Sequence, residues 1–442
     1  MSIQLSDHFN YRKIIRFTLP SIAMMIFTSI YGVVDGLFVS NFAGKTGFAA
    51  INFILPVLNI LGTFGYMFGA GGSALISKTL GEGKREKANQ FFSMFVYLSL
   101  ALSVLMAVLG FAFMRPLSQW LGAEGQLLED CVLYGRIFIL ALPAWILLYE
   151  FQLFFVTAEK PQLGLVVTVA AGVTNIVLDA VFIIVFKWGL AGAAAASALS
   201  QVVGGVFPLV YFGRPNSSIL RLTKPVWDMK AILKGCTNGS SELMSGIASS
   251  FVGILYNVQL LKYAGENGVA AYGVMMYLSM IFASAFLGYC NGIAPVIGYH
   301  YGAQNHGELK NLLKKSLTIM GICSAGMLFL SELLSTPISK IFVGYDQELL
   351  ELTIHGFQIF SFSFLFMGLG IFGSSFFTAL NNGLISALIS FLRVLVFQMG
   401  AVLLLPMIFD LDGIWMSVVV AELIAAVISI TFIAALRKKY RY

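Results

Sequence analysis

Charge is scarce in this chain. Asp, Glu, Lys and Arg together make up 11% of its 442 residues, hydrophobic residues make up 58%, and mean hydropathy is +0.87. A soluble domain carries roughly 25% charged residues, so an ordinary water-covered surface is excluded. Cysteine is scarce too. Cys131, Cys236, Cys290 and Cys323 lie in or beside apolar segments without CxxC spacing, as packed small residues do and as disulfides or metal sites do not. The four histidines, His8, His300, His306 and His355, are scattered, and no HExxH or GxSxG motif occurs. A membrane-embedded enzyme would need such a cluster. Ala43-Gly44-Lys45-Thr46 resembles the tail of a phosphate-binding loop, but that loop needs a glycine five residues before its GK glycine. Position 39 is valine, so ATP is not the expected energy source.

What the chain has is long apolar runs. Phe91 to Met114, Leu163 to Phe186 and Leu384 to Phe409 carry at most one charge each, and about 20 apolar residues suffice to cross a bilayer. Strands of a membrane barrel would alternate in polarity, which these runs do not. The sequence therefore predicts an all-α integral membrane protein. The N-terminus reads as a polar stub with Arg12, Lys13 and Arg16 before a retained first span, with no small-residue cleavage site. Apolar stretches place six spans near 14–39, 46–76, 89–112, 130–157, 163–186 and 191–212. Six more fall near 231–262, 268–298, 312–334, 352–379, 384–408 and 412–435. Residues 213–234 form the longest polar break. The expected organisation is a bundle over 1–212, a linker over 213–234 and a second bundle over 235–442.

Basic residues orient the spans. With a cytoplasmic N-terminus, 20 of the 27 lysines and arginines fall on the cytoplasmic side. Lys45, Arg115, Lys187, Lys262 and Lys340 fall opposite, and Arg136 and Arg393 lie within spans. That bias meets the positive-inside rule and puts both termini in the cytoplasm of a multi-pass protein of the cell (inner) membrane. It also accounts for the high pI without a nucleic-acid partner, because the basic face meets anionic lipid headgroups of the bilayer.

The chain also repeats itself. Shifted by 221, half its length, Ala43-Gly44 falls on Ala264-Gly265, Gly71 on Gly292, Gly81 on Gly302, and Leu190-Ala191-Gly192 on Leu411-Asp412-Gly413. Chance matches between apolar sequences do not hold one offset from the first loop to the last. Six crossings per half make the repeats parallel, related by an axis along the membrane normal. Such bundles enclose a central cleft, and rocking one against the other gives alternating access. The expected function is transport.

Few ionisable residues fall within the spans: Asp35, Arg136, Glu150, Asp179, Glu242, Arg393 and Glu422. Each costs about 2.5–3.5 kcal/mol on insertion scales, which asks for a functional reason. Asp35 and Asp179 come at similar depth in the outer half of the first bundle. Asn175 lies one turn from Asp179 on the same face, and Ser197 descends to the same level on span 6. A carboxylate in apolar surroundings beside another carboxylate is disfavoured in its charged form. It takes up a proton, or stays ionised against a cation such as sodium, for which Asn175 and Ser197 offer neutral oxygens. The bland alternative is a buried structural acid paired with a polar neighbour. Glu150 and Arg136 are too far apart along span 4 to pair, Glu242 lies in the cytoplasmic half of span 7, and Arg393 and Glu422 are placed to reach one another. For these five, a structural role stands beside one in gating or substrate contact. The offset puts Tyr256 and Gly400 where the second half would need counterparts of Asp35 and Asp179. Pro20 shares a helix with Asp35, and prolines kink membrane helices.

With twelve spans, a 6+6 duplication, Pro20 fifteen residues before Asp35, and Asn175-x-x-x-Asp179 in span 5, the chain resembles the multidrug and toxic compound extrusion family. The pattern is similar to the prokaryotic branch with a cation site in the N-terminal bundle; Ser197 stands where relatives often carry threonine. The resemblance implies V-shaped lobes and export of small amphipathic, often cationic compounds against inward flow of sodium ions or protons, with bending of span 1 near Pro20 as part of the coupling. Sodium would bind at Asp35, Asn175 and Asp179, no further cofactor is needed, and a monomer is expected. Relatives with coupling acids in spans 7 and 10 match poorly, because span 10 has no acid here. The runner-up reading is a flippase for lipids or lipid-linked saccharides on the same fold, which would line its cleft with several basic residues; only Arg136 and Arg393 are available.

Overall fold

The computed structural model describes residues 3–42 and 44–442, and Ala43 lies outside them. Among the described residues there are helices and loops and no strand. Nine helices among the described residues are long and apolar enough to cross a bilayer. Two further pairs, Gly125–Leu140 with Leu142–Thr157 and Gln347–Ser361 with Ser363–Ala379, do so together across bends of 55° and 43°. The helix Met229–Gly302 has 74 residues. At 1.5 Å per residue it would run about 110 Å, against a hydrocarbon core of about 30 Å. Gly265 divides it, at φ 60° and ψ −149°, a conformation open to glycine and costly for other residues. Its two arms complete the twelve spans.

Spans 1 to 3 are Tyr11–Phe42, Gly44–Gly81 and Arg85–Trp120. Span 4 is the first bent pair, span 5 is Pro161–Asp179 continued by a π-helical segment Ala180–Val185, and span 6 is Gly189–Gly213. Spans 7 and 8 are the two arms, span 9 is His306–Val343, and span 10 is the second bent pair. Span 11 is Gly383–Phe391 with a π segment Leu392–Gln398 and the turns Met399–Leu404 after it. Pro406–Tyr440 holds a break at Asp410, φ 49°, after which span 12 runs to the C-terminal end. The fifth helix of each half thus carries a π segment.

The duplication is visible in how the halves meet. A Cβ on Gly81 would overlap the carbonyl of Tyr299, and a Cβ on Gly302 would overlap that of Lys78. Residues 78 and 81 become 299 and 302 at the 221-residue offset, so this is one contact made twice about a pseudo-two-fold axis. It lies at the basic face, where spans 2 and 8 cross with their backbones touching. One apolar core joins residues of both halves across this contact, from Phe17 and Phe92 to Phe286 and Phe377, and continues through the second half to Leu260 and Val343. A second core, around Val39, Ile54, Tyr134 and Trp145, belongs to the first half alone. The lobes are fused at the basic face and part away from it. Outward-facing side chains such as Val104, Leu105, Val108 and Phe113 on span 3 are exposed, as a lipid-facing surface requires.

Two segments differ from the reading of the sequence. The polar stub is a packed strap: Leu5 and Phe9 are fully buried. The Leu5 amide donates to Glu159 Oε1 at 2.7 Å in the loop between spans 4 and 5. The Phe9 amide donates to Glu308 Oε1 at 2.9 Å, while Asn311 and Lys315 donate to the Phe9 carbonyl. His8 closes the set against Glu308 at 2.6 Å. Burial holds the Glu159 carboxyl above its usual range, although the Leu5 amide and Lys160 act the other way. The strap therefore ties a loop of the first lobe to the start of span 9 in the second. The polar linker is shorter than its composition predicts, because Asp228 caps the next helix by accepting from the amides of Lys230 and Ala231. Its remainder packs on span 3, with the Thr223 amide on Ser93 Oγ at 2.8 Å.

Candidate functional site

Span 5 is straight as far as Asp179, so Asn175 and Asp179, one turn apart, share its inner face. The π segment begins at the next residue and re-aims the side chains that follow. Asp179 is 0% exposed and Asn175 2%. From span 1, half-buried Asp35 brings its carboxylate against that of Asp179 and beside the Asn175 amide. From span 6, Ser197 Oγ accepts from Asn175 Nδ2 at 3.5 Å. The four residues read from the sequence therefore meet in one place, inside the lobe.

The polar accounting at this place is one-sided. Asp35 Oδ1, Asn175 Oδ1 and both Asp179 carboxylate oxygens are buried with no hydrogen-bond donor among the described residues. Buried acceptors are nearly always satisfied in folded proteins, and an unpaired buried carboxylate is among the costliest groups to leave so. Among the described residues, no lysine, arginine or histidine offers itself. Four oxygens without a donor gather here, an arrangement that a small cation or protons would satisfy. Sodium fits the donor set, since carboxylate and amide oxygens are the ligands a hard cation prefers. Among the described residues no cluster of three or more His, Cys, Asp and Glu fit for a metal ion is found.

Sequence reasoning missed two neighbours. Tyr134, from the first segment of span 4 and 2% exposed, directs its hydroxyl at Ser197 and feels both carboxylates. Tyr31 lies one turn before Asp35 on span 1 and neighbours Asp35 and Tyr149. A tyrosine in an apolar run reads as aromatic packing, and only the i,i+4 spacing of Tyr31 to Asp35 offered a clue.

The other candidates separate. Glu150 is fully buried in the second segment of span 4, where Ser99 donates to it, and it does not pair with Arg136. Arg136 lies at the lobe's periphery, its Nε donating to the Phe111 carbonyl at 3.2 Å and its guanidinium over the Phe111 ring. It is not among the residues that line the cavity between the lobes. Pro20 is buried within an uninterrupted span 1. Between the lobes lies a cavity of about 380 Å³ whose lining includes Met25, Tyr66, Glu242, Asn291, Ser374 and Arg393. Arg393 and Glu422 do pair, with Nε to Oε2 at 2.9 Å.

A family model described as MatE matches residues 20–181 and again residues 243–403. This chain belongs to the MatE family. The two MatE matches begin 223 residues apart, from 20 to 243, close to the repeat found in the sequence. Among curated relatives, "Multidrug export protein MepA" of Staphylococcus aureus (strain MSSA476) is 25% identical over 441 residues, covering 97% of this chain and 94% of the relative. The protein of the same name from Staphylococcus haemolyticus is 24% identical over 430 residues, covering 97% and 94%. A solved structure described as the outward-facing conformation of a multidrug resistance MATE family transporter of the MOP superfamily superposes with a TM-score of 0.92. It is 22% identical and covers 99% of each chain. That likeness carries the MatE fold of two six-helix lobes to this chain, a multi-pass membrane protein.

Proposed function

We propose that this MatE protein is a secondary antiporter of the cell membrane, exporting small amphipathic, mainly cationic compounds in exchange for sodium ions or protons. The observation that carries this reading is the set of four donor-less buried oxygens on Asp35, Asn175 and Asp179. A fixed cation would be a structural pair; an acid pair left to be satisfied from solution is a group that loads and unloads. Two carboxylates side by side repel when both are charged, and that repulsion is relieved by a bound cation or proton. Loading draws spans 1 and 5 together, while unloading lets them part. Span 1 also packs its basic-face half on span 8, where Thr18 touches Gly292 and Ser21 touches Gly288. A shift of span 1 at Asp35 is thereby transmitted, past Pro20, to the contact between the lobes. The multidrug export named for the staphylococcal relatives supports the cargo class. The flippase reading loses half of its basic lining, since Arg136 faces away from the cleft.

The test is efflux of a fluorescent cation from vesicles holding the full chain, under an imposed sodium or proton gradient. The reading expects gradient-driven efflux in the wild type and background rates in Asp35→Asn and Asp179→Asn. Efflux that ignores both gradients, or persists in both variants, would overturn it. Running each gradient at fixed pH separates sodium from proton.

A further inference from the structure

The wall of the inter-lobe cavity carries both signs of charge. Glu422 is 0% exposed and receives Arg393 through Nε at 2.9 and 3.1 Å and through Nη2 at 2.9 Å, with Gln398 Nε2 at 3.3 Å on the same oxygen. The π segment over Leu392–Gln398 holds both donors on one helix. Gly370 clears the space beside them, since a Cβ there would lie 3.2 Å from Arg393 Cδ and 3.4 Å from Glu422 Oε2. Arg393 is thus fixed in one orientation. A guanidinium has five N–H donors, and Glu422 uses the edge formed by Nε and Nη2. The outer edge, with Nη1, has no protein acceptor among the described residues. That arginine lines the cavity, as does Glu242 from span 7, and the two interact electrostatically. Glu242 makes no hydrogen bond of its own among the described residues.

A buried ion pair is weak support for stability, and apolar residues of similar volume often serve as well. A pair kept only for structure would have its donors consumed by the protein. Here the residue with spare donors lines a cavity together with a carboxylate. The geometry points to a subsite for zwitterionic amphiphiles: the ligand's carboxylate on the outer edge of Arg393, its amine on Glu242, and its apolar body against Met25, Tyr66, Leu287 and Val394. The volume of about 380 Å³ lies within the usual range for small-molecule sites. A compound with only a positive charge satisfies Glu242 but leaves the arginine edge unmet, so the same cavity holds it less tightly. The inference rests on the reading of the chain as an exporter of amphipathic compounds and names a charge pattern that the coupling site does not.

Equilibrium binding without any ion gradient tests the subsite apart from the coupling. Two dyes with the same ring system serve as probes: rhodamine 110, with a free carboxylate, and rhodamine 123, its methyl ester and a simple cation. The full chain is held in lipid nanodiscs. The wild type is expected to bind rhodamine 110 about tenfold more tightly, a charge-assisted bidentate contact being strong. The variant Arg393→Gln/Glu422→Gln, which removes the pair without leaving a lone buried charge, should erase that preference. Glu242→Gln should weaken both probes alike. Equal affinities in the wild type, binding of neither probe, or a preference that survives the double variant overturns the subsite. None of these outcomes touches gradient-driven efflux, so a failed coupling mechanism and a failed subsite read differently.

Discussion

The two lobes share a frame and differ in how they treat charge. In the first, the fifth helix turns into its π segment just after Asp179, whose carboxylate meets Asp35 and no cation. In the second, the fifth helix enters its π segment just before Arg393, whose guanidinium is taken by Glu422. One lobe leaves its charge to be met from outside, and the other meets it from within. The two π segments do not coincide in the shared frame, since the offset carries 180–185 to 401–406 and the second lies at Leu392–Gln398; in the proposed antiport the acidic place loads and the paired one is a fixed wall. The residue that the offset pairs with Asp35 is Tyr256, which is buried and carries no charge at neutral pH.

The largest expected effect breaks the comparison at its acidic end. Asp179→Asn should reduce gradient-driven efflux to background while leaving the melting temperature unchanged or higher, because it removes a buried carboxylate without a donor. Scanning calorimetry beside the efflux assay checks both halves of that statement. At the paired end, Arg393→Met alone should cost about 3–5 kcal/mol by stranding Glu422, whereas Arg393→Met/Glu422→Met should be neutral or stabilising. Thermal unfolding of the two variants measures the contrast, and equal losses would mean that the pair is not acting as a pair.

A smaller effect tests the symmetry itself. Gly81→Ala and Gly302→Ala each place a methyl group against a backbone carbonyl of the opposite lobe. Each should destabilise by about 1–3 kcal/mol, the usual range for overpacking, and by similar amounts; one tolerated and one damaging would break the pseudo-two-fold description. Smallest of all, Ser197→Thr keeps the hydroxyl and should leave the cation dependence of efflux within about twofold. Ser197→Ala should weaken it several-fold by removing one neutral oxygen, which a titration of efflux against sodium or pH would resolve.

Much of this was legible in the chain before its fold. Apolar length fixes the spans because the bilayer admits few alternatives, and the offset of 221 survives because tight turns and close crossings keep demanding glycine. Asp35, Asn175, Asp179 and Ser197 were legible because depth along a helix follows from counting residues. Direction around the helix did not follow, and so the role of Arg136 stayed open until the fold put it on Phe111. Tyr134 was hidden among aromatic packing residues. The cavity's Asn291 and Ser374 were hidden because single polar residues are ordinary in membrane helices, and only packing shows that they converge. The strap escaped because eight residues carry too little periodicity to announce burial.

That strap bears on how the protein is made. Leu5 and Phe9 leave the ribosome ahead of all twelve spans, yet the partners of Phe9, Glu308, Asn311 and Lys315, emerge after about 300 more residues and eight inserted spans. Until then Phe9 has only half of its binding place. The N-terminal segment must wait in the aqueous phase or in the lipid interface through most of translation, and it closes when the second lobe arrives. Its closure is a late event in biogenesis that reports whether the two lobes have come together.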